Sequence, residues 1–169
     1  MTLALTAHSA IQTIRVLLVD DSHTVMAAIG LLLHKQPALL VVAGANNGTD
    51  TLAQVLRHEP DLVVMDVHMP GMNGLEAVAV VRRHRPQVRI IMISVDQDAG
   101  VQAECLRLGA DRFLPKIGLQ RRLLQEIAGL FPHLNLAANA APGRNRTSDR
   151  ATRHPDEDQS SWESPSHEN

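Results

Sequence analysis

Three acids, a hydroxyl and an amine recur along this 169-residue chain at the ends of short apolar runs. Asp20 and Asp21 follow Arg15 to Val19, and Asp66 follows Leu62 to Met65. Ser94 closes the run from Arg89, and Lys116 closes the run from Asp111. If these runs are adjacent strands, all of those side chains share one edge. Carboxylates crowded together repel and raise one another's pKa unless a cation neutralises them. A hard divalent cation is the natural partner, and Mg²⁺ usually takes few protein ligands and keeps several waters. A carboxylate beside such a cation can attack a phosphoryl group and become an aspartyl phosphate. Lys116 and the cation would spread the charge of the transferring group, and Ser94 could donate a hydrogen bond to it.

The elements that must position these residues are legible from pattern. Leu62 to Met65 is short and unbroken, as expected of a strand buried on both faces of a parallel sheet. Met69-Pro70-Gly71 and Asn73-Gly74 then turn the chain into an amphipathic run, Leu75 to Arg83, with Asn73 as its cap. Further strands are expected at 14–19, 39–43, 88–93 and 111–114, and further helices at 24–35, 50–57, 99–108 and 118–130. Ser22 is the natural cap of the first helix, while Gln36-Pro37, Glu59-Pro60 and Arg85-Pro86 stop successive helices. Strands and helices alternating in this way build a doubly wound parallel sheet, whose sites lie at the carboxyl ends of the strands.

Composition narrows the function. Hydrophobic residues make up 44% and aromatics 2%, so the core is aliphatic and no aromatic stacking surface for nucleic acid exists. The net charge of −2 gives no general pull toward nucleic acid or acidic membranes. A single cysteine, Cys105, excludes an internal disulfide and a cysteine-based zinc cage, and the histidines form no ligand pair. No apolar run approaches the roughly 18 residues of a membrane span. Residues 1–13 read as a flexible leader without an export signal, which makes the cytoplasm the expected compartment. Residues 14–132 form the domain. Residues 133–169 read as a disordered tail, because from about Ala137 the only large hydrophobe is Trp162.

Taken together, Val19-Asp20-Asp21-Ser22, Met65-Asp66-x-x-Met69-Pro70-Gly71-Met72-x-Gly74, Ser94 and Gly109-Ala110-Asp111-x-Phe113-Leu114-Pro115-Lys116 resemble the receiver domain of two-component response regulators. The resemblance covers about residues 14–130. It implies a flavodoxin-like α/β fold, a doubly wound five-stranded parallel sheet with strand order 2-1-3-4-5. Asp66 then matches the phosphoacceptor. Asp21 matches the direct Mg²⁺ ligand and Asp20 its neighbour, with Asp66 and the backbone carbonyl of His68 completing the metal set. Ser94 and Phe113 match the switch pair, and Lys116 the lysine that pairs with the phosphoryl group. Pro115 would follow a cis peptide that turns the lysine inward.

The resemblance implies a phosphorelay protein that is not an enzyme. It would take a phosphoryl group from a sensor histidine kinase or histidine phosphotransfer protein and present a changed surface to an unnamed downstream protein. No direct nucleic-acid or membrane contact is expected, and a dimer through the fourth helix, fifth strand and fifth helix stays open. The alternative is an aspartate-nucleophile, Mg²⁺-dependent phosphatase, although those enzymes usually show Asp-x-Asp after the first strand. Single residues also have plainer roles open to them. Asp20 and Asp21 could cap the first helix, Phe113 could be core, and the His68 side chain could simply face solvent.

Overall fold

A computed structural model describes residues 13–134. The proposed leader, apart from Thr13, and the proposed tail, apart from its first two residues, lie outside the described residues. The elements alternate throughout: β1 (Ile14–Val19), α1 (His23–His34), β2 (Leu39–Ala45), α2 (Gly48–His58), β3 (Leu62–Asp66), α3 (Gly74–His84), β4 (Arg89–Ser94), α4 (Ala99–Arg107), β5 (Arg112–Pro115) and α5 (Leu119–Leu130). The strands form one parallel sheet in the order β2-β1-β3-β4-β5.

Side-chain alternation along the central strands builds two cores, because successive residues point to opposite faces. Val16, Leu18, Val64, Ile91, Ile93 and Leu114 pack with Ile29 and Leu33 of α1 and with Leu119, Leu123 and Ile127 of α5. Leu17, Val19, Val63, Met65, Ile90 and Met92 pack on the other face with Val55, Val78, Val81 and Cys105. Both faces of β3 are therefore covered, which is why its run is apolar without interruption. Phe131 and Leu134 close the first core beyond α5.

The register places the strand ends level. Val19 pairs with Met65, Asp66 with Ile93, and Ser94 with Pro115. Several boundaries differ from expectation. β2 runs on to Ala45, whose carbonyl accepts from the Asp20 amide at 3.1 Å, so pairing with β1 continues to the strand's end. Asp111 lies just before β5 rather than in it, because its carboxylate is engaged by Arg82, Arg89 and the Ile90 amide. No described peptide bond is cis, so the expected cis bond before Pro115 is absent. Lys116 is aimed inward by other means. Its amide donates to the Ser94 carbonyl at 2.7 Å, which ties the end of β5 to the end of β4.

Candidate phosphoryl and metal site

Each strand end delivers its polar residue to the same carboxyl edge. Asp20 follows β1 and is 1% exposed, Asp66 ends β3 at 3%, and Ser94 ends β4 fully buried. Asp21 lies beside them and is exposed. Ser22 caps α1, its Oγ accepting from the Val25 amide at 3.4 Å. The Ser22 amide in turn donates to Asp20 Oδ1 at 2.9 Å, fixing that carboxylate. Helix capping thus falls to Ser22, which leaves Asp20 and Asp21 for the edge.

Lys116 joins the strands electrostatically. Its Nζ lies 2.8 Å from Asp20 Oδ2 and 2.9 Å from Asp66 Oδ2. Asp20 Oδ2 meets the ammonium as an ion pair, and Asp66 Oδ1 is buried without a hydrogen-bond partner. Burial pushes the Asp66 carboxyl above its ordinary pKa. Lys116 opposes that shift, the Asp20 charge adds to it, and a backbone hydrogen bond from His68 opposes it weakly. Burial also pulls Lys116 down, but the carboxylates of Asp20 and Asp66 outweigh it and hold the ammonium above its usual value. One ammonium for two buried carboxylates leaves the site short of positive charge.

That shortage tests the site for a metal. Asp20, Asp21 and Asp66 each offer a carboxylate oxygen within 4.8 Å of the others. Two buried acids and one exposed acid, all hard oxygen donors, fit a cation that keeps part of its water shell. Asp66 Oδ1, buried without a hydrogen-bond partner, and Asp20 Oδ2, which meets only the Lys116 ammonium, have lone pairs for it.

The remaining expected residues surround this centre. Ser94 Oγ accepts from the Asp96 amide at 3.0 Å, and its hydroxyl still has a proton to donate. Phe113 faces Met92 across the β4–β5 ladder and packs half-buried against the second core. The His68 side chain is exposed, and its backbone lies beside Asp66. Two features went unread in the sequence. Gly48 packs on the loop after Asp66, and Arg82 binds the carbonyl of Gly109 and the carboxylate of Asp111 at the opposite edge. Neither has a linear signature, because the partners lie 24 or more residues away.

With this geometry in place, comparison with known proteins is decisive. A model of the response regulator receiver domain matches residues 16–128. The chain belongs to that family. A protein-glutamate methylesterase/protein-glutamine glutaminase from Nitrobacter winogradskyi is 30% identical over 152 residues, covering 88% of this chain and 35% of that protein. The response regulator domain of Thermotoga maritima CheB superimposes with a TM-score of 0.65 at 31% identity, over 69% of this chain and 95% of that one. CheY in a CheX–CheY complex with BeF3 and Mg from Borrelia burgdorferi gives a TM-score of 0.66 at 25% identity, over 70% of this chain and 89% of that one.

Receiver domains of this family are phosphoacceptors of two-component signalling, and they interact with histidine kinases or phosphotransfer proteins. The phosphatase alternative is not favoured. The expectation that the protein is not an enzyme is overturned by its relatives, for at least four carry the methylesterase/glutaminase name. The chain spans about a third of the length of those relatives and matches their receiver part. No described helix is long and apolar enough to cross a membrane.

Proposed function

We propose that Asp66 is the phosphoryl acceptor of this receiver. The observation that carries the reading is Lys116 Nζ between Asp20 and Asp66, in a group of three carboxylates with oxygens within 4.8 Å. Asp20, Asp21 and Asp66, with the main-chain carbonyl of His68, would hold Mg²⁺. When bound, the ion supplies positive charge to the phosphoryl oxygens. The Asp66 carboxylate attacks phosphorus, the bond to the donor's imidazole nitrogen breaks, and the imidazole leaves with the electron pair. Lys116 turns from the carboxylates toward the new phosphoryl oxygens, and Ser94 donates its hydroxyl proton in a hydrogen bond to one of them. Phe113 then follows Ser94 inward.

The donor is a histidine kinase or histidine phosphotransfer protein, acting in the cytoplasm. The readout surface comprises α4, β5 and α5, where Val95, Leu106 and Ile117 are exposed apolar residues in or beside those elements. It would serve a downstream protein, with a second copy of the chain as the other occupant. The test is incubation with acetyl phosphate and Mg²⁺ followed by intact mass measurement. Wild type should gain one phosphoryl group and Asp66→Asn none. Equal labelling of the variant removes Asp66 from the role.

A further inference from the structure

We infer that Gly48 is a positioning residue for the loop that carries the metal and phosphoryl site, an inference that rests on the reading of Asp66 given above. Gly48 is the first residue of α2, remote in sequence from Asp66. A Cβ built on it would overlap the Met72 carbonyl oxygen and stand 2.9 Å from Met72 Cγ and 3.0 Å from its Cβ. The first turn of α2 therefore rests directly on the Met72 main chain. Gly48 has no positive φ, so space rather than backbone conformation demands glycine here.

The helix end cannot easily retreat. Asn47 Oδ1 accepts from the Asp50 amide at 2.8 Å, and Asn47 Nδ2 donates to Asn46 Oδ1 and Asp50 Oδ2 at 2.9 Å each. Thr51, fully buried, donates its hydroxyl to the Asn47 carbonyl at 2.9 Å. Gly74, two residues after Met72, closes the loop from Val67 to Asn73 on itself. Its amide donates to the Val67 carbonyl at 2.9 Å, and the Asp66 carbonyl fills the space a Cβ would take. Val67 and Met69 are buried between these two contacts. The loop is thus wedged between the α2 terminus and the end of β3, with His68 in the wedged segment. A methyl group on Gly48 must displace a main-chain oxygen, which has no rotamer by which to escape. That displacement passes along the loop to the His68 carbonyl and the Asp66 backbone.

The consequence is specific to metal binding. Losing a group that hydrogen-bonds a metal ligand typically costs about tenfold or more in affinity, and shifting the loop behind the ligands should cost no more than the low end of that range. Gly48→Ala should therefore weaken Mg²⁺ by about tenfold at a temperature where the protein stays folded. Acetyl phosphate labelling should slow at low Mg²⁺ and recover as Mg²⁺ is raised. Gly30→Ala is the control, because a Cβ there meets nothing within 4 Å. Isothermal titration of Mg²⁺ into wild type and both variants decides the matter. Weakened binding in Gly48→Ala alone supports the inference. Wild-type affinity in folded Gly48→Ala overturns it while leaving the Asp66 reading intact. Absence of Mg²⁺ binding and of labelling in wild type overturns that reading, and this one with it. If Gly48→Ala does not fold, Met72→Gly takes its place, since it strips the side-chain half of the contact and frees the Met72 main chain that Gly48 supports. It should also weaken Mg²⁺, and unchanged affinity in it rejects the wedge.

Discussion

A carboxylate buried beside one shared lysine is held at a cost, and the cost has a sign. Asp66 has its pKa raised in the fold, first by burial, so its protonated form is favoured there. Its stabilising contribution is fully present below the unfolded value of 3.8 and is lost as pH rises through the higher folded value. At neutral pH the charged carboxylate therefore burdens the fold. Asp66→Asn should raise the melting temperature, by on the order of 4 °C for each kcal/mol relieved. The gain should shrink as pH falls through the raised folded pKa, where wild type is itself protonated, and be gone below 3.8. A thermal melt of both proteins from pH 3.5 to 7.5 checks this, and a lower melting temperature for the variant at pH 7 would reject it. Lys116 has the complementary sign. Burial opposes its charge, the two carboxylates override burial, and its contribution is present below 10.5 and lost as pH rises through the higher folded value. Asp20 and Asp21 separate by environment. Asp20 is buried and committed to Ser22 and Lys116, whereas Asp21 is exposed. Asp21→Ala should weaken Mg²⁺ with little change in stability, and Asp20→Ala should change both. Calorimetric titration beside a urea melt resolves the two, and wild-type Mg²⁺ affinity in both variants would remove the metal site.

At the scale of elements, one side chain makes several of the ties at the edge opposite the site. Arg82 of α3 donates to the Gly109 carbonyl at 2.7 and 3.0 Å, to the Val88 carbonyl at 2.8 Å and to Asp111 at 2.9 Å. It thereby joins the ends of α3 and α4 to the starts of β4 and β5. Charge-assisted hydrogen bonds contribute about 1.5–3 kcal/mol each when a partner is left unmade, and they are not additive within one group. Arg82→Ala should cost roughly 2–4 kcal/mol on that basis. The urea midpoint should fall with little change in slope. Labelling of Asp66 by acetyl phosphate should persist below the new midpoint, because Arg82 is far from the carboxyl edge. Loss of labelling in the folded variant would show that the two edges are coupled. Arg82 also marks where reading the chain alone stops. The strand ends at Asp20, Asp66, Ser94 and Lys116 were legible because apolar runs stop there and turn residues follow. The caps at Ser22 and Asn73 were legible because their side chains act within three residues. Arg82 with Gly109, and Gly48 with Met72, are contacts between elements whose relative placement only the packed sheet determines. The trans peptide before Pro115 was missed for a related reason. The Ser94 carbonyl holds the Lys116 amide across strands, so the lysine needs no cis bond to point inward.

For the whole molecule the question is how charge at one edge reaches a surface. A phosphoryl group on Asp66 adds negative charge and acceptor oxygens beside Ser94 and Lys116. Ser94 Oγ is held by the Asp96 amide at 3.0 Å, so its movement toward the phosphoryl group must release or drag the segment that leads into α4. That segment is loosely held, since residues 95–100 are all exposed and Cys105 alone of α4 is buried. Phe113, half-buried opposite Met92, has no polar atom on its ring to hold it outward, and it can fill space that Ser94 vacates. A ligand shifts a balance between two conformations only through its differential affinity for them. Beryllofluoride with Mg²⁺ should therefore change amide exchange across residues 95–117 in wild type, with the largest effect at the start of α4. Ser94→Ala should still take a phosphoryl group on Asp66, because its hydroxyl is not the nucleophile, but its exchange should respond far less. Exchange at β1 and β3 should stay slow in both proteins, for those strands are buried on both faces. An identical response in wild type and Ser94→Ala would show that the coupling runs through another group. Lys116, which contacts Asp66 and is tied to β4 through the Ser94 carbonyl, would then be the next residue to test.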